Sequence, residues 1–310
     1  MSEPPDKFLD WYHSSGPYLY VRGSFWVLSI VLNLLIFLPT VLIKDFRKDR
    51  FKNLLAQLVL GDVVIACGAL LRQYFMFHEM REATIFNCAF VEMPSIAGYH
   101  ISHLAVFWIA LDRFLAVYYP AVYHRMSTLK IVIFRWILTI LLTCVNTFLM
   151  LARNDLEVVK DSSHLCRITE NWKTWYTNYV YLWAAFVCLA NTILYSLAIR
   201  RTRTVLATQT EFQKKIYYTF VYIIAVYIVF WTIPKGVLFL VKKLLAGITD
   251  FGIVSSVSLQ LNGVTDNIMT LANFGIYGWR HREVRVAIME MLCVKKTFPA
   301  QVSPVTTQPA

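Results

Sequence analysis

The chain has 310 residues, 57% of them hydrophobic and only 16% charged, with a net charge of +11. A water-soluble domain of this length needs more polar surface than that composition supplies. The positive charge does not mark a nucleic-acid binder, because the basic residues fall between long apolar runs and membrane topology accounts for them. Those runs lie at about 24–43, 53–77, 85–118, 129–152, 176–200, 215–241 and 250–277. Each has the ~20-residue length of a membrane span, and all are too long and continuous for barrel strands of ~10 alternating residues. The predicted fold is therefore all-α: a seven-transmembrane helix bundle, closed by a short amphipathic juxtamembrane helix. The predicted divisions are an extracellular N-terminus over 1–23, the bundle over 24–278, the surface helix over 279–293 and a disordered cytoplasmic tail over 294–310.

The first segment contains Pro4, Pro5, Asp6, Lys7 and Asp10 with no apolar core, so it is no secretory signal and the first run must insert as its own. That run carries Asn33. The linker 44–52 follows, KDFRKDRFK, with Lys44, Arg47, Lys48, Arg50 and Lys52; by the positive-inside rule it is cytoplasmic and the N-terminus is outside. The cytoplasmic segments then hold most of the 30 basic residues against anionic inner-leaflet lipid. Asp62, inside the second run, is an intramembrane acid and so a functional candidate. The third run opens near Cys88. Glu92, Ser95 and Tyr99 follow i, i+3, i+7 and face the bundle interior, as does Ser102 further along.

The third run ends Asp112-Arg113-Phe114-Leu115-Ala116-Val117-Tyr118-Tyr119-Pro120-Ala121-Val122-Tyr123. An arginine at the membrane edge is costly unless paired or hydrated. Asp112 stands beside it; if Arg113 is released, its planar fork can take backbone carbonyls and tyrosine hydroxyls. Cys88 precedes Arg113 by 25 residues, ~37 Å of helix, which puts it at the opposite face. Cys166, in the loop 153–175, shares that external side. Cys67, Cys144 and Cys188 lie inside runs and read as small core residues. No Cys-x-x-Cys pair and no metal motif occur.

The fifth run contains Tyr195. The sixth contains Phe230-Trp231-Thr232-Ile233-Pro234, and Pro234 should bend it; Lys235 follows. In the seventh, Asn262, Asp266 and Asn273 fall on one stripe, and the run ends Asn273-Phe274-Gly275-Ile276-Tyr277. In RHREVRVAIMEMLC, Val284, Ala287, Ile288, Met291 and Leu292 share a face, so 280–293 reads as a helix on the inner leaflet. Cys293 at its end is a palmitoylation candidate or an unmodified thiol.

These motifs resemble the rhodopsin-like (class A) G-protein-coupled receptors, whose third helix ends Asp-Arg-Tyr followed by Ala-Val and Pro-x-x-Tyr. The compact loops and short tails are most similar to nematode orphan and serpentine receptors, many of them chemosensory or peptide-responsive. The resemblance implies a plasma-membrane receptor that performs no chemistry of its own and passes an extracellular signal to a heterotrimeric G protein. It implies a Cys88–Cys166 disulfide, a polar core of Asn33, Asp62, Ser102 and Asn273 that either holds a sodium ion or is hydrogen-bonded without one, and a switch built from Asp112, Arg113, Tyr195, Pro234, Asn273 and Tyr277. Glu92, Ser95, Tyr99, Trp231, Thr232, Lys235 and Asp266 become candidates for the ligand pocket, or for contacts between helices. Ser95 stands where amine receptors carry an aspartate, and residues 249–277 lack a retinal-type lysine; a peptide or a non-amine small molecule is the expected ligand.

The sequence also departs from the pattern. Trp231 is one residue early relative to the usual Trp-x-Pro, Phe274 replaces the proline of Asn-Pro-x-x-Tyr, and Met269 replaces an asparagine of the ion site. Lys214 and Lys215 stand where an acid often locks the arginine, which leaves Asp112 as its expected restraint. The rival classes are a seven-helix channel or transporter using Asp62 and Asp266, which has no use for the Asp112-to-Tyr123 pattern, and an intramembrane acid-pair enzyme, which needs those two acids close together.

Overall fold

The computed structural model describes residues 16–77, 85–151, 174–205, 228–234, 267–279 and 281–292, and positions 222, 225, 226, 236, 237, 264 and 265. Every element among them is helical. They are α1 (Gly16–Leu42), α2 (Lys44–Lys48), α3 (Arg50–Phe77), α4 (Ile85–Tyr118), α5 (Pro120–Arg125), α6 (Thr128–Leu151), α7 (Thr174–Val205) and α8 (Arg282–Met291). Among the described residues five helices are long and apolar enough to cross a membrane, namely α1, α3, α4, α6 and α7. Cys166, Lys235, Asp266, Cys293 and the two chain ends lie outside the described residues, as do the side chains of Trp231 and Thr232.

The turn between α1 and α3 is set locally. Asp45 lies in the first turn of α2 and Arg47 and Lys48 in its last, each on the favourable side of the helix dipole. Asp49 then starts α3: its Oδ1 accepts from the backbone N–H of Phe51 at 2.8 Å and of Lys52 at 3.3 Å, the bonding of an N-cap. This cap fixes where Arg50, Phe51 and Lys52 point.

Helices in lipid gain little from burying apolar surface against one another, so packing and interhelical hydrogen bonds must hold them. Between α3 and α4 the packing depends on glycine. A Cβ on Gly61 would lie 2.7 Å from the backbone nitrogen of Ser102, and one on Gly98 would lie 2.5 Å from that of Ile65. A Cβ on Gly68 would collide with the backbone nitrogen and hydroxyl of Ser95. The two backbones therefore touch over two helical turns. The outer face of α6 is the opposite case: Leu129, Ile133, Phe134, Ile137, Ile140 and Phe148 are exposed, as a lipid-facing stripe requires.

Thr139 ties three helices. Its hydroxyl oxygen accepts from Gln57 Nε2 on α3 at 2.6 Å and from Trp108 Nε1 on α4 at 3.1 Å. A Thr139→Val variant keeps the shape and removes the acceptor, leaving two buried donors unpaired at about 1–3 kcal/mol each. A clear drop in apparent Tm of the purified protein is expected; an unchanged melting curve would remove this knot from the account.

α8 differs in part from its expected place on the lipid surface. Val284, Ala287 and Ile288 are buried in the same core as Ile36, Phe46 and Tyr277. Met291 and Leu292 are exposed. The first half of the apolar face is thus used by the bundle, and only the second half is left for lipid.

Candidate coupling site at the cytoplasmic end

Arg113 sits near the end of α4, one turn before the chain leaves the helix at Tyr118. Its expected partner is engaged elsewhere. Asp112, whose side chain is fully buried, accepts from Arg135 Nη2 of α6 at 2.8 Å, whereas Arg113 Nε lies 3.9 Å from it. The Tyr123 hydroxyl donates to the second carboxylate oxygen at 3.2 Å. Burial, then the neighbouring Asp112 charge, pushes the Tyr123 hydroxyl up, so it stays protonated and able to donate. The expectation that Asp112 alone restrains Arg113 is corrected here: Asp112 is chiefly the counter-ion of Arg135. Arg135 was missed because one basic residue near the end of an apolar run reads as a cytoplasmic-edge charge.

Tyr123 is itself held. Arg50 Nη1 donates to the Tyr123 carbonyl at 3.0 Å and Nε to Thr128 Oγ1 at 3.0 Å; its other nitrogen donates to the Met126 carbonyl. The guanidinium lies 4.7 Å from the Tyr123 ring centroid. One side chain from the first turn of α3 thus fastens the whole segment between α4 and α6.

Arg113 lies over the Phe51 ring, with Cζ 4.7 Å from the centroid, in the range of a cation–π contact. Tyr195 and Tyr277 are buried and within electrostatic reach of Arg113. The Tyr195 hydroxyl has no hydrogen-bond partner among the described residues, nor does Asn191 one turn earlier. His281, just past the seventh run, is held below its ordinary 6.5 by burial and then by the Arg113 charge; it is neutral at pH 7 and can stack on its neighbours.

Deeper in the bundle, the polar residues converge. Ser102 Oγ donates to Asp62 Oδ1 at 2.9 Å and Asn273 Nδ2 to Asp62 Oδ2 at 2.6 Å. Asn33 Nδ2 reaches the Ser29 carbonyl at 2.9 Å and the Thr270 carbonyl at 3.3 Å; it joins α1 to the seventh run without touching Asp62. Both Asp62 oxygens accept a hydrogen bond, while the buried Asn33 Oδ1 has no hydrogen-bond partner among the described residues.

Toward the outer half, Glu92 and Ser95 are buried and Tyr99 half-buried. Ser95 is packed on Gly68, so its hydroxyl belongs to the α3–α4 contact rather than to an open pocket. Cys88 is disulfide-bonded, and Cys67, Cys144 and Cys188 form no disulfide. Pro234 follows a wide, π-helical turn at Ile228–Thr232, and a second such turn occupies Phe274–Trp279. These stretches hold two of the departures from the receptor pattern, at Trp231 and at Phe274.

Among the described residues the structure is an all-helical bundle with helices of membrane length, a buried polar core and a half-buried arginine near the end of α4. Residues 26–292 match the family model described as serpentine type 7TM GPCR chemoreceptor Srsx, and the chain belongs to that family. It is a multi-pass membrane protein with seven spans. No curated protein matches it.

Proposed function

We propose that the chain is a plasma-membrane receptor, N-terminus outside, that converts binding of an extracellular peptide or non-amine small molecule into nucleotide exchange on a heterotrimeric G protein. The observation that carries this reading is the setting of Arg113. It is half-buried at the end of α4, within electrostatic reach of Tyr277 and of Tyr195, whose buried hydroxyl has no hydrogen-bond partner among the described residues. An unmade hydrogen bond in a buried site is a standing cost, and it is relieved when Tyr195 meets a partner in a second arrangement. The ligand binds that arrangement better and shifts the population toward it. The inner half of the sixth helix swings at the wide turn before Pro234, and Arg113 is left at the roof of a basic cleft that accepts the G protein.

The remaining assignments belong to the same reading. The external disulfide joins Cys88 to Cys166. Glu92, Tyr99, Trp231, Thr232, Lys235 and Asp266 supply the ligand pocket, with Ser95 supporting it from the α3–α4 contact. Asp62, Ser102 and Asn273 link that pocket to the switch. Cys293 is available for lipidation.

Replacing Arg113 by Ala tests the proposal in membranes supplied with a G-protein panel and an extract or ligand library that stimulates the wild type. Stimulated exchange should fall by at least ~100-fold, since a population shift of a few kcal/mol is lost, while the stimulating fraction is still bound. Undiminished exchange, or an ionic current through the purified protein, would overturn it.

A further inference from the structure

The linker 44–52 reads as a topology signal, yet its last residues, the first turn of α3, touch several parts of the coupling site. Arg50 holds the segment from Tyr123 to Thr128. Lys52 pairs with Glu283 at the start of α8 and lies 3.7 Å from Asp49. Between them stands Phe51. One face of its surroundings is Arg113, with Cζ 4.7 Å from the ring centroid. The other is the end of the seventh run and the residue just past it: Tyr277 at 6.2 Å and His281 at 5.0 Å between ring centroids. Tyr277 and His281 stack at 6.4 Å with 22° between their planes.

We propose that Phe51 is a positioning residue for the switch, holding Arg113 at rest by a cation–π contact and carrying displacement of Tyr277 to it. The inference rests on the reading of Arg113 given above. Three features support it. Asp112 is committed to Arg135 at 2.8 Å and so restrains Arg113 weakly. The helical turn that carries the ring is anchored by the Asp49 cap on the Phe51 backbone N–H and by the contacts of Arg50 with Tyr123 and of Lys52 with Glu283, so Phe51 has little freedom to follow Arg113. Tyr277 lies within the π-helical turn Phe274–Trp279, and such turns are places where a helix can change its bonding pattern by one residue. A rotation of that turn moves Tyr277 against Phe51, and the ring face presented to the guanidinium changes. Cation–π attraction depends on that face, because it comes from the ring quadrupole.

The test uses the full chain in membranes and needs no ligand. Phe51→Leu should raise ligand-free nucleotide exchange roughly three- to tenfold, the population shift that losing one cation–π contact supports. Phe51→Trp, which keeps and strengthens the ring face, should not. Adding Arg113→Ala to Phe51→Leu should abolish the rise. In parallel, a thermal-stability cycle of Phe51→Leu, Arg113→Met and the double variant should be non-additive. An additive cycle overturns the proposal, as does a folded Phe51→Leu variant whose exchange equals that of the wild type or of Phe51→Trp. If the rise survives Arg113→Ala, the fault lies with the reading of Arg113 itself.

Discussion

Asp112→Asn should be among the most destabilising single substitutions in this chain, lowering stability by about 3–5 kcal/mol, the cost of leaving a buried charge without its counter-ion. Asp112 is fully buried and the Arg135 side chain is only 8% exposed, so water cannot take over the role of the lost carboxylate. The two partners are not equivalent. Removing Arg135 leaves Asp112 with the Tyr123 hydroxyl and with Arg113 at 3.9 Å, and Arg113 can close that gap. Arg135→Gln should therefore melt higher than Asp112→Asn. It should also lower nucleotide exchange, because Asp112 is freed to restrain Arg113. Combining the two substitutions replaces an ion pair by a neutral amide pair and should recover part of the loss. Melting curves of the purified single and double variants decide it. An Asp112→Asn protein as stable as the wild type, or a double variant that is merely the sum of the two, would show that the pair is not coupled in this way.

The second large effect is expected at the α3–α4 contact. Overpacking a core usually costs about 1–3 kcal/mol, but here the obstacle is backbone. A methyl group on Gly61 or Gly98 meets main-chain atoms at 2.7 and 2.5 Å, and these cannot rotate out of the way as a side chain can. Gly98→Leu should prevent the helices from closing, with the protein lost from the membrane fraction and recovered as aggregate. Gly61→Ala should be milder in stability and informative in function, because the methyl would push Ser102 away and lengthen its 2.9 Å bond to Asp62. Partial retention at the membrane with a lowered Tm is the expected result. A Gly98→Leu protein that elutes as a sharp, monodisperse peak with wild-type Tm would contradict the close approach.

Much of this was legible from sequence because lipid makes polar residues conspicuous. Asp62, Ser102, Asn273 and the Asp112-Arg113 pair announce themselves as exceptions in apolar runs, and the structure brings the first three into one hydrogen-bonded group. What escaped was whatever depends on which helix lies opposite. Arg135 gains its meaning only from Asp112 on a different helix. Gly61 and Gly68 share a face by their seven-residue spacing, but nothing in α3 alone says that α4 meets that face. Ser95 has the spacing of a pocket residue, and its close approach to Gly68 is a contact that the stripe on α4 alone does not name. The departures at Trp231 and Phe274 were visible as irregular spacing. Their physical form, a turn widened by one residue, is a hydrogen-bond pattern that composition does not encode.

The first turn of α3 also has a history within the life of one molecule. During synthesis Arg50 and Lys52 emerge long before their later partners: Glu283 lies 231 residues downstream of Lys52, and Thr128 lies 78 downstream of Arg50. At that stage they are free cations, and in the proposed orientation their work is to keep the loop on the cytosolic side while α1 and α3 enter the bilayer. Once α6 and then α8 arrive, the same two side chains are taken up as structural contacts. A charge-neutralising change there would consequently register twice, first as molecules threaded the wrong way round and then, among those threaded correctly, as a loosened switch.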